Sequence, residues 1–488
     1  MNASLWTSSE IAAATGGTAS TAFAVSGLSI DSRTVQPGDL FIALVGDNHD
    51  GHDHVMAALA KGATGALICA DVPSLPATAP VVRVPNTMIA LYQLATAARL
   101  RAHGMLMAVT GSVGKTTTKE MLHHIASHQF ANPQFGSTGG AHATIGNLNN
   151  HIGLPLTLAR LPLQAKVGVF EIGMNHANEI APLATLLRPH IAVITNIGTA
   201  HMQNFADGQS GIARAKAEIF TGMASNGVGI IPRDSEYYSL LVSEAHHHHV
   251  PTLLSFGVHA EADGRLVSCV PHSESIEVTA NIRGRTINYI LPVPGEHMAL
   301  NSVAVLLAVQ AAGLDLDGAM GALASFAPLK GRGSRKHFGS ITVIDECYNA
   351  SPLSMQAAIK VLGQSEGAGR RLVALGDMLE LGEIAATAHA ELAAVLQAAK
   401  VDQVFCCGPL MQHLWQALPA ELQGAWTPDA ATLAPLVAQA VRADDVVLVK
   451  GSRGKQVEIN NIMSPSMAQV IAAIERQQGG KDNSSHAA

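Results

Sequence analysis

Met105-Leu106-Met107-Ala108-Val109 is a short apolar run that passes without a break into Thr110-Gly111-Ser112-Val113-Gly114-Lys115-Thr116-Thr117. A strand ending this way leaves the chain few options. Glycines permit a tight turn whose successive backbone N–H groups converge on an anion such as phosphate. The helix expected from Lys115 onward adds its own N-terminal amides and positive dipole end. In that geometry Lys115 reaches the outer phosphates of a nucleoside triphosphate, and the Thr116 hydroxyl completes a Mg²⁺ shell. The usual pattern is G-x-x-x-x-G-K-[ST]; here Val109 occupies the first glycine position, leaving a shorter G-x-x-G-K-T form. With 45 glycines in the chain, a chance match is the competing reading. The strand before the loop, the threonines after it and an acid at Glu171 weigh against chance.

Further strand candidates, Val167 to Phe170 and Ile191 to Ile194, alternate with helical stretches. Such alternation predicts an α/β fold with a parallel sheet covered on both faces, whose ligands sit at the carboxyl ends of the strands. Glu171 and His201 both follow strand ends. Glu171, Thr116 and phosphate oxygens form a plausible shell for Mg²⁺, which prefers oxygen ligands; a helix-capping acid is the plainer alternative. His201 is one of 23 histidines, and only its position marks it. Lys216 lies on a largely apolar helix and reads, on its residues alone, as a lysine that buries its stem and keeps its charge in water.

The chain divides into three α/β units: a small N-terminal domain over 1–103, a central phosphate-loop ATPase-like parallel sheet over 104–327, and a Rossmann-like C-terminal domain over 328–488. Pro76, Pro80 and Pro85 break up the first unit before a helix over Met88 to Ala102. Alternating runs between Leu254 and Leu291 predict a small antiparallel appendage or edge to the central sheet. In the third unit the strands are Ile341 to Ile344, Leu372 to Leu375, Val404 to Cys406 and Val446 to Val449. Asp345 to Pro352 follows the first of these and suggests a ribose or phosphate contact. Arg332 precedes it, placed to close over a triphosphate. Val449 to Lys455 is basic and glycine-rich, either a solvated turn or a second anion-binding loop. His246 to His249 reads as an exposed loop without a metal, and Gln478 to Ala488 as a frayed tail.

Composition narrows the function classes. Lys and Arg number 30 against 37 Asp and Glu, a net charge of -7. That balance leaves no basic footprint for nucleic acid or an anionic membrane. A chain that is 48% hydrophobic and 14% charged is not extended disorder. The five cysteines show no C-x-x-C spacing and read as thiols of a reducing compartment. The N-terminus lacks a signal-peptide pattern, and Met298 to Ala312 is too short to span a bilayer. The expectation is a cytoplasmic protein with no membrane insertion.

Together these motifs resemble the Mur ligase family of ATP-dependent peptide-bond-forming enzymes, over nearly the whole chain. The resemblance rests on Asp31-Ser32-Arg33, Pro37-Gly38-Asp39 and Asp50-Gly51-His52 at the start. In the centre it rests on the phosphate loop, Asn149-Asn150 before Ile152-Gly153-Leu154-Pro155, and Glu171-Ile172-Gly173-Met174-Asn175-His176. Ala200-His201, Ala215-Lys216-Ala217-Glu218 and Gly295-Glu296-His297 with Asn301 continue it. Tyr348-Asn349-Ala350-Ser351-Pro352, Gly376-Asp377-Met378-Leu379-Glu380-Leu381-Gly382 and Lys450-Gly451-Ser452-Arg453 complete it. The Tyr-Asn-Ala-x-Pro stretch resembles members that add a dipeptide, not those that add a single amino acid.

The resemblance implies that Thr110, Gly111, Ser112, Val113, Gly114, Lys115, Thr116 and Thr117 hold ATP. It implies Mg²⁺, two ions, at Thr116, Glu171, His201 and a carbamylated Lys216. It puts Asn301 by the adenine, Arg332 by the γ-phosphate and Asp345 by the ribose. Ser32 and Arg33 would bind the uridine diphosphate end of the acceptor, with Asn149, Asn150, Asn349, Lys450 and Ser452 nearer the peptides. The implied partners are UDP-N-acetylmuramoyl-tripeptide and D-alanyl-D-alanine, in a monomer. The sequence departs from the family at Asp345-Glu346-Cys347, commonly Asp-Asp-Ser, at His151, commonly acidic, and at Ser351, commonly Asn. The competing readings are a related ligase that adds one amino acid and a nucleotide-switch ATPase.

Overall fold

The computed structural model describes residues 4–131, 140–365, 369–452 and 467–484. Among the described residues three large sheets with packed helices follow one another along the chain, with a two-stranded pair, Trp6–Thr7 and Ala24–Val25, beside the first. The first has five strands in the spatial order Thr18–Ala19, Val81–Arg83, Gly65–Ile68, Asp39–Ile42 and Gly27–Ser29. Strand Val81–Arg83 lies where prolines predict only broken chain. Pro80 and Pro85 flank it, so no ladder N–H is lost within the strand. Helix Thr87–Arg101 covers this sheet, its first turn capped by Asn86, whose side chain accepts from the Ile89 N–H.

The central sheet has nine strands. Ala141–Ala143, Val167–Glu171, Met105–Thr110, Ile191–Ile194, Val228–Pro232 and Thr252–Gly257 run parallel in that order. The inner strands are buried on both faces, which is why they read as unbroken apolar runs. The expected appendage forms the sheet's far edge: Gly264–Pro271 joins parallel to its neighbour, then Ile276–Ile282 and Arg285–Leu291 continue antiparallel.

The C-terminal sheet is six-stranded: Ser334–Phe338, Ile341–Glu346, Val446–Lys450, Arg371–Gly376, Gln403–Cys407 and Gln423–Thr427. Its two edge strands escaped the sequence reading because, half-buried, they carry no apolar run. Two further expectations need correction. His246 and His247 are not in a loop; they end helix Tyr238–His247, which continues because Leu241 and Ala245 keep a buried face. Helix Ala468–Ser484 runs through most of the stretch read as a frayed tail.

The seams between domains differ in kind. One apolar core runs from Trp6, Leu28 and Leu94 in the first domain to Leu154, Leu187 and Ile212 in the central one. Trp6 donates its indole N–H to the Ala159 carbonyl at 2.9 Å, and the Arg160 guanidinium donates to the Leu28 carbonyl. The C-terminal domain buries its own apolar clusters. It meets the centre through isolated contacts, among them Lys360 to Glu296 at 2.8 Å and His201 to Glu380. Burial thus welds the first two domains together and leaves the third the freer body.

Asp50-Gly51-His52 turns out to be structural. His52 is buried, its Nδ1 2.5 Å from Asp50 Oδ1, while its Nε2 accepts from the N–H groups of Cys69 and Ala70. A Cβ on Gly51 would lie 2.7 Å from the Leu44 nitrogen, so only glycine fits there. Replacing His52 with Ala should destabilise the first domain by about 1–3 kcal/mol, since two amides lose their acceptor. Hydrogen exchange at Cys69 and Ala70 should accelerate; unchanged protection there would contradict this role.

Candidate active site

Strand Met105–Thr110 lies between Ile191–Ile194 and Val167–Glu171, so Thr110, Thr195 and Glu171 reach one edge of the sheet together. The loop after Thr110 turns at Gly111 and Gly114, both with positive φ. Space as well as φ requires glycine. A Cβ on Gly111 would meet Thr195 Oγ1 at 1.9 Å, and one on Gly114 would meet Asn301 Oδ1 at 3.0 Å. Helix Lys115–Gln129 begins directly after the turn.

Neighbouring strand ends brace the loop. Thr195 donates its hydroxyl to the Val113 carbonyl at 2.5 Å, and the Val113 N–H donates to Asn196 Oδ1 at 2.8 Å. The Gly198 N–H donates to Ser112 Oγ at 2.9 Å. Lys115 curls back, its Nζ donating to the Gly111 carbonyl at 2.8 Å, so its charge lies over the turn.

The Thr116 hydroxyl donates to Glu171 Oε2 at 2.6 Å, and Asn149 Nδ2 donates to Glu171 Oε1 at 2.8 Å. Thr116 and Glu171 are both buried. A hydroxyl and a carboxylate, adjacent, oxygen-only and beside an anion-binding turn, fit a hard divalent ion such as Mg²⁺. His201 adopts a left-handed φ of 64°. Burial lowers its pKa; Glu380 opposes the shift, and the charges of Lys115 and Lys216 reinforce it.

Lys216 is the correction to the bland reading. It is 2% exposed and its side chain forms no hydrogen bond or ion pair with any described residue, so it is buried where a snorkelling lysine would be exposed. Burial first, and the Lys115 charge second, hold its pKa well below the ordinary 10.5.

All three domains border one cavity of about 900 Å³. Ser112, Val113, Gly114, Lys115, Thr116, Thr117, Asn149, Asn150, Glu171, His201, Asn301, Arg332, Asn349 and Lys450 line it, so most of the expected site residues meet there. Thr110 and Gly111 are buried beneath the turn. Ser32, Arg33, Lys216, Asp345 and Ser452 are not in the cavity wall. Ser32 and Arg33 follow strand Gly27–Ser29, with Arg33 held by both Asp31 carboxylate oxygens. Asp345 is buried beside Lys336 at 3.4 Å. Ser452 ties the domain's loops together, donating to the Ala350 carbonyl and accepting from the Leu379 N–H. Arg453, Gly454 and Lys455 of the expected second anion loop lie outside the described residues.

Several wall residues were not singled out, although Glu346 and Tyr348 fall within the stretch Asp345 to Pro352 expected to contact ribose or phosphate. Glu346 lines the cavity, with Lys450 Nζ at 3.1 Å from its carboxylate and 2.9 Å from the Asn349 carbonyl. Tyr348 lies under the Arg332 guanidinium, 3.8 Å from ring centroid to carbon, and Tyr92 reaches in from the first domain. The signal for Glu346 was present: adjacent residues of a strand face opposite sides, so Asp345 and Glu346 could not both point inward.

Comparison with known proteins supplies the family. Residues 24–99 match the Mur ligase family catalytic domain, 109–309 the Mur ligase middle domain, and 331–453 the Mur ligase glutamate ligase domain. The UDP-N-acetylmuramoyl-tripeptide–D-alanyl-D-alanine ligase of Rickettsia prowazekii is 32% identical over 93% of this chain and 98% of its own. The chain belongs to the Mur ligase family. The Bacillus subtilis enzyme of the same name is 34% identical to this Mur ligase over 89% of its chain and 92% of the relative. A crystal structure of MurF from Acinetobacter baumannii superposes with a TM-score of 0.81 at 28% identity, covering 96% of this chain and 99% of that one. As a Mur ligase the protein is an ATP-dependent ligase built on three α/β domains.

Lys216→Met should raise stability at pH 7 in CO₂-free buffer while abolishing turnover. The sign follows from proton counts. The amine is favoured neutral in the fold and charged in the unfolded chain, so the unfolded state binds more protons and wild-type stability climbs with pH towards 10.5. Urea midpoints between pH 7 and 9 should climb more for wild type than for the variant. Equal slopes would mean that Lys216 is charged in the fold.

Proposed function

We propose that this ligase joins D-alanyl-D-alanine to the free carboxylate of the third residue of UDP-N-acetylmuramoyl-tripeptide, converting ATP to ADP and phosphate. The observation that carries this reading is a cavity bordered by all three domains, with a phosphate loop on its floor, in a chain that matches enzymes of that name over about nine-tenths of its length.

A carboxylate and an amine do not condense in water near neutral pH, because the leaving oxygen is poor and the amine is protonated. Activation by phosphoryl transfer removes the first obstacle: the acceptor carboxylate attacks the γ-phosphorus of ATP, ADP departs, and the acyl phosphate forms. The dipeptide amine then attacks the acyl carbon, and the tetrahedral intermediate collapses with loss of phosphate. The loop amides and Lys115 hold the triphosphate and offset charge on the transferring oxygens. Arg332, on the cavity wall, approaches the γ-phosphate. Asn301, against Gly114, contacts the nucleotide. Ser32 and Arg33 receive the uridine diphosphate end. Asn149, Asn150, Asn349, Lys450 and Ser452 serve the two peptides, Ser452 by holding the loops.

Thr116, Glu171, His201 and Lys216 would hold Mg²⁺, which when bound neutralises phosphate charge and polarises the transferred group. Lys216 is carbamylated in this reading. Only a neutral amine attacks CO₂, and the product is a carbamate anion plus a proton; the buried, unpaired amine meets that requirement. Closure of the freer third domain excludes water from the acyl phosphate. In this reading the enzyme works as a cytoplasmic monomer, as enzymes acting on a nucleotide-linked precursor and ATP require no membrane span.

Release of ADP and phosphate should require acceptor and dipeptide together, with the ligated product visible by mass spectrometry. Turnover with another amine alone would reassign the substrate, and release with nucleotide alone would indicate a switch ATPase. Lys115→Ala should abolish ligation while calorimetric acceptor binding persists, since the acceptor's nucleotide end is held by the first domain. Lys216→Ala should lose activity and regain part of it with short carboxylic acids; full activity without them would remove Lys216 from the site.

A further inference from the structure

The stretch Gly376 to Gly382 has no part in the reaction as described, yet from the C-terminal domain it reaches His201 in the cavity wall. Glu380 puts its carboxylate against Nδ1 of His201, and the Gln203 N–H approaches the Glu380 carbonyl at 3.5 Å. Gly382 packs so closely that a Cβ would lie 3.2 Å from Gln203 Cβ. Both partners hold unusual backbones: His201 and Glu380 each have φ of 64°, a left-handed conformation that non-glycine residues adopt at a cost. Such conformations persist where the surroundings over-determine them.

Here they do. Within the C-terminal domain the Met378 N–H donates to His389 Nε2, the Leu379 N–H to Ser452 Oγ, and the Ser452 N–H to the Asp377 carbonyl. The loop is thus a rigid mount whose one outward carboxylate meets His201. Nδ1 of His201 is buried and forms no hydrogen bond with any described group; the Glu380 carboxylate meets it as a close ion-pair contact. A carboxylate against one imidazole nitrogen fixes the ring's rotation and its tautomer, leaving the other nitrogen with a lone pair.

We infer that Glu380 is a positioning residue which, supplied by the C-terminal domain, holds His201 in the tautomer and rotation that its cavity-facing role requires, so that docking of this domain completes the site. The inference rests on the proposed ATP- and Mg²⁺-dependent reading of this site. It adds a coupling: the domain that closes over the reactants also orders a ligand group on the central domain. Phosphoryl transfer before docking, when an acyl phosphate would be exposed to water, is thereby disfavoured.

The test compares Glu380→Ala with Glu380→Gln in the full-length protein. Gln keeps an oxygen that accepts from Nδ1–H; Ala removes it. Mn²⁺ titration by electron paramagnetic resonance, with a non-hydrolysable ATP analogue and no acceptor, should show affinity about 10–100-fold weaker for Ala and within about 3-fold of wild type for Gln. Turnover should fall in parallel in kcat, with KM for ATP, acceptor and dipeptide changed less than about 3-fold. Unchanged Mn²⁺ affinity in Glu380→Ala overturns the inference. So does an equal loss in both variants, which would indicate a need for charge or a general weakening of the interface. The titration needs neither acceptor nor dipeptide. A wild-type protein that fails to ligate these substrates therefore counts against the substrate assignment alone.

Discussion

The hydrogen bond between Thr116 and Glu171, 2.6 Å long, is the contact on which the rest of the structure depends. It joins the first turn of the phosphate-loop helix to the end of the neighbouring parallel strand. It exists only because Val167–Glu171 and Met105–Thr110 pair in register, Glu171 opposite Val109. Everything else at the site is arranged around that edge. Thr195 and Asn196 arrive on the next strand and clamp the loop, Asn149 holds the second carboxylate oxygen, and Asn301 closes against Gly114. A one-residue slip of the parallel pairing would turn Glu171 to the other face and dismantle the set.

The two interdomain seams follow from the same economy of apolar surface. Where Trp6, Leu28 and Leu154 share a core, the domains behave as one platform on which the phosphate loop and the first domain keep a constant relation. Where the C-terminal domain closes its own cores, spot contacts cross, among them a lysine to a glutamate, Leu353 against Gly198, and the His201–Glu380 pair. A chemistry that makes a water-sensitive acyl phosphate and then admits an amine needs such a division. One wall must be fixed and the other able to close.

Much of this was legible in the sequence, and the limits have physical causes. The inner strands could be read because burial on both faces demands continuous apolar runs, and the loop because few sequences satisfy its steric and amide requirements. Edge strands such as Ser334–Phe338 carry no such demand and were invisible. Lys216 shows the same limit at the site. A lysine among alanines on a helix looks solvent-seeking until the fold buries it, and only family resemblance pointed the other way. Glu346 and Glu380 were not singled out, for different reasons. The first needed strand alternation applied to two adjacent acids; the second acts across a domain boundary, and no local pattern encodes that.

The central claim is that the acceptor carboxylate is activated by direct attack on the γ-phosphorus of ATP. Acceptor labelled with ¹⁸O in its terminal carboxylate tests this in one turnover. The account predicts that one labelled oxygen passes to the released phosphate and that the new amide retains the other. Phosphate carrying only oxygen from water, with both labels still on the acceptor, would contradict it.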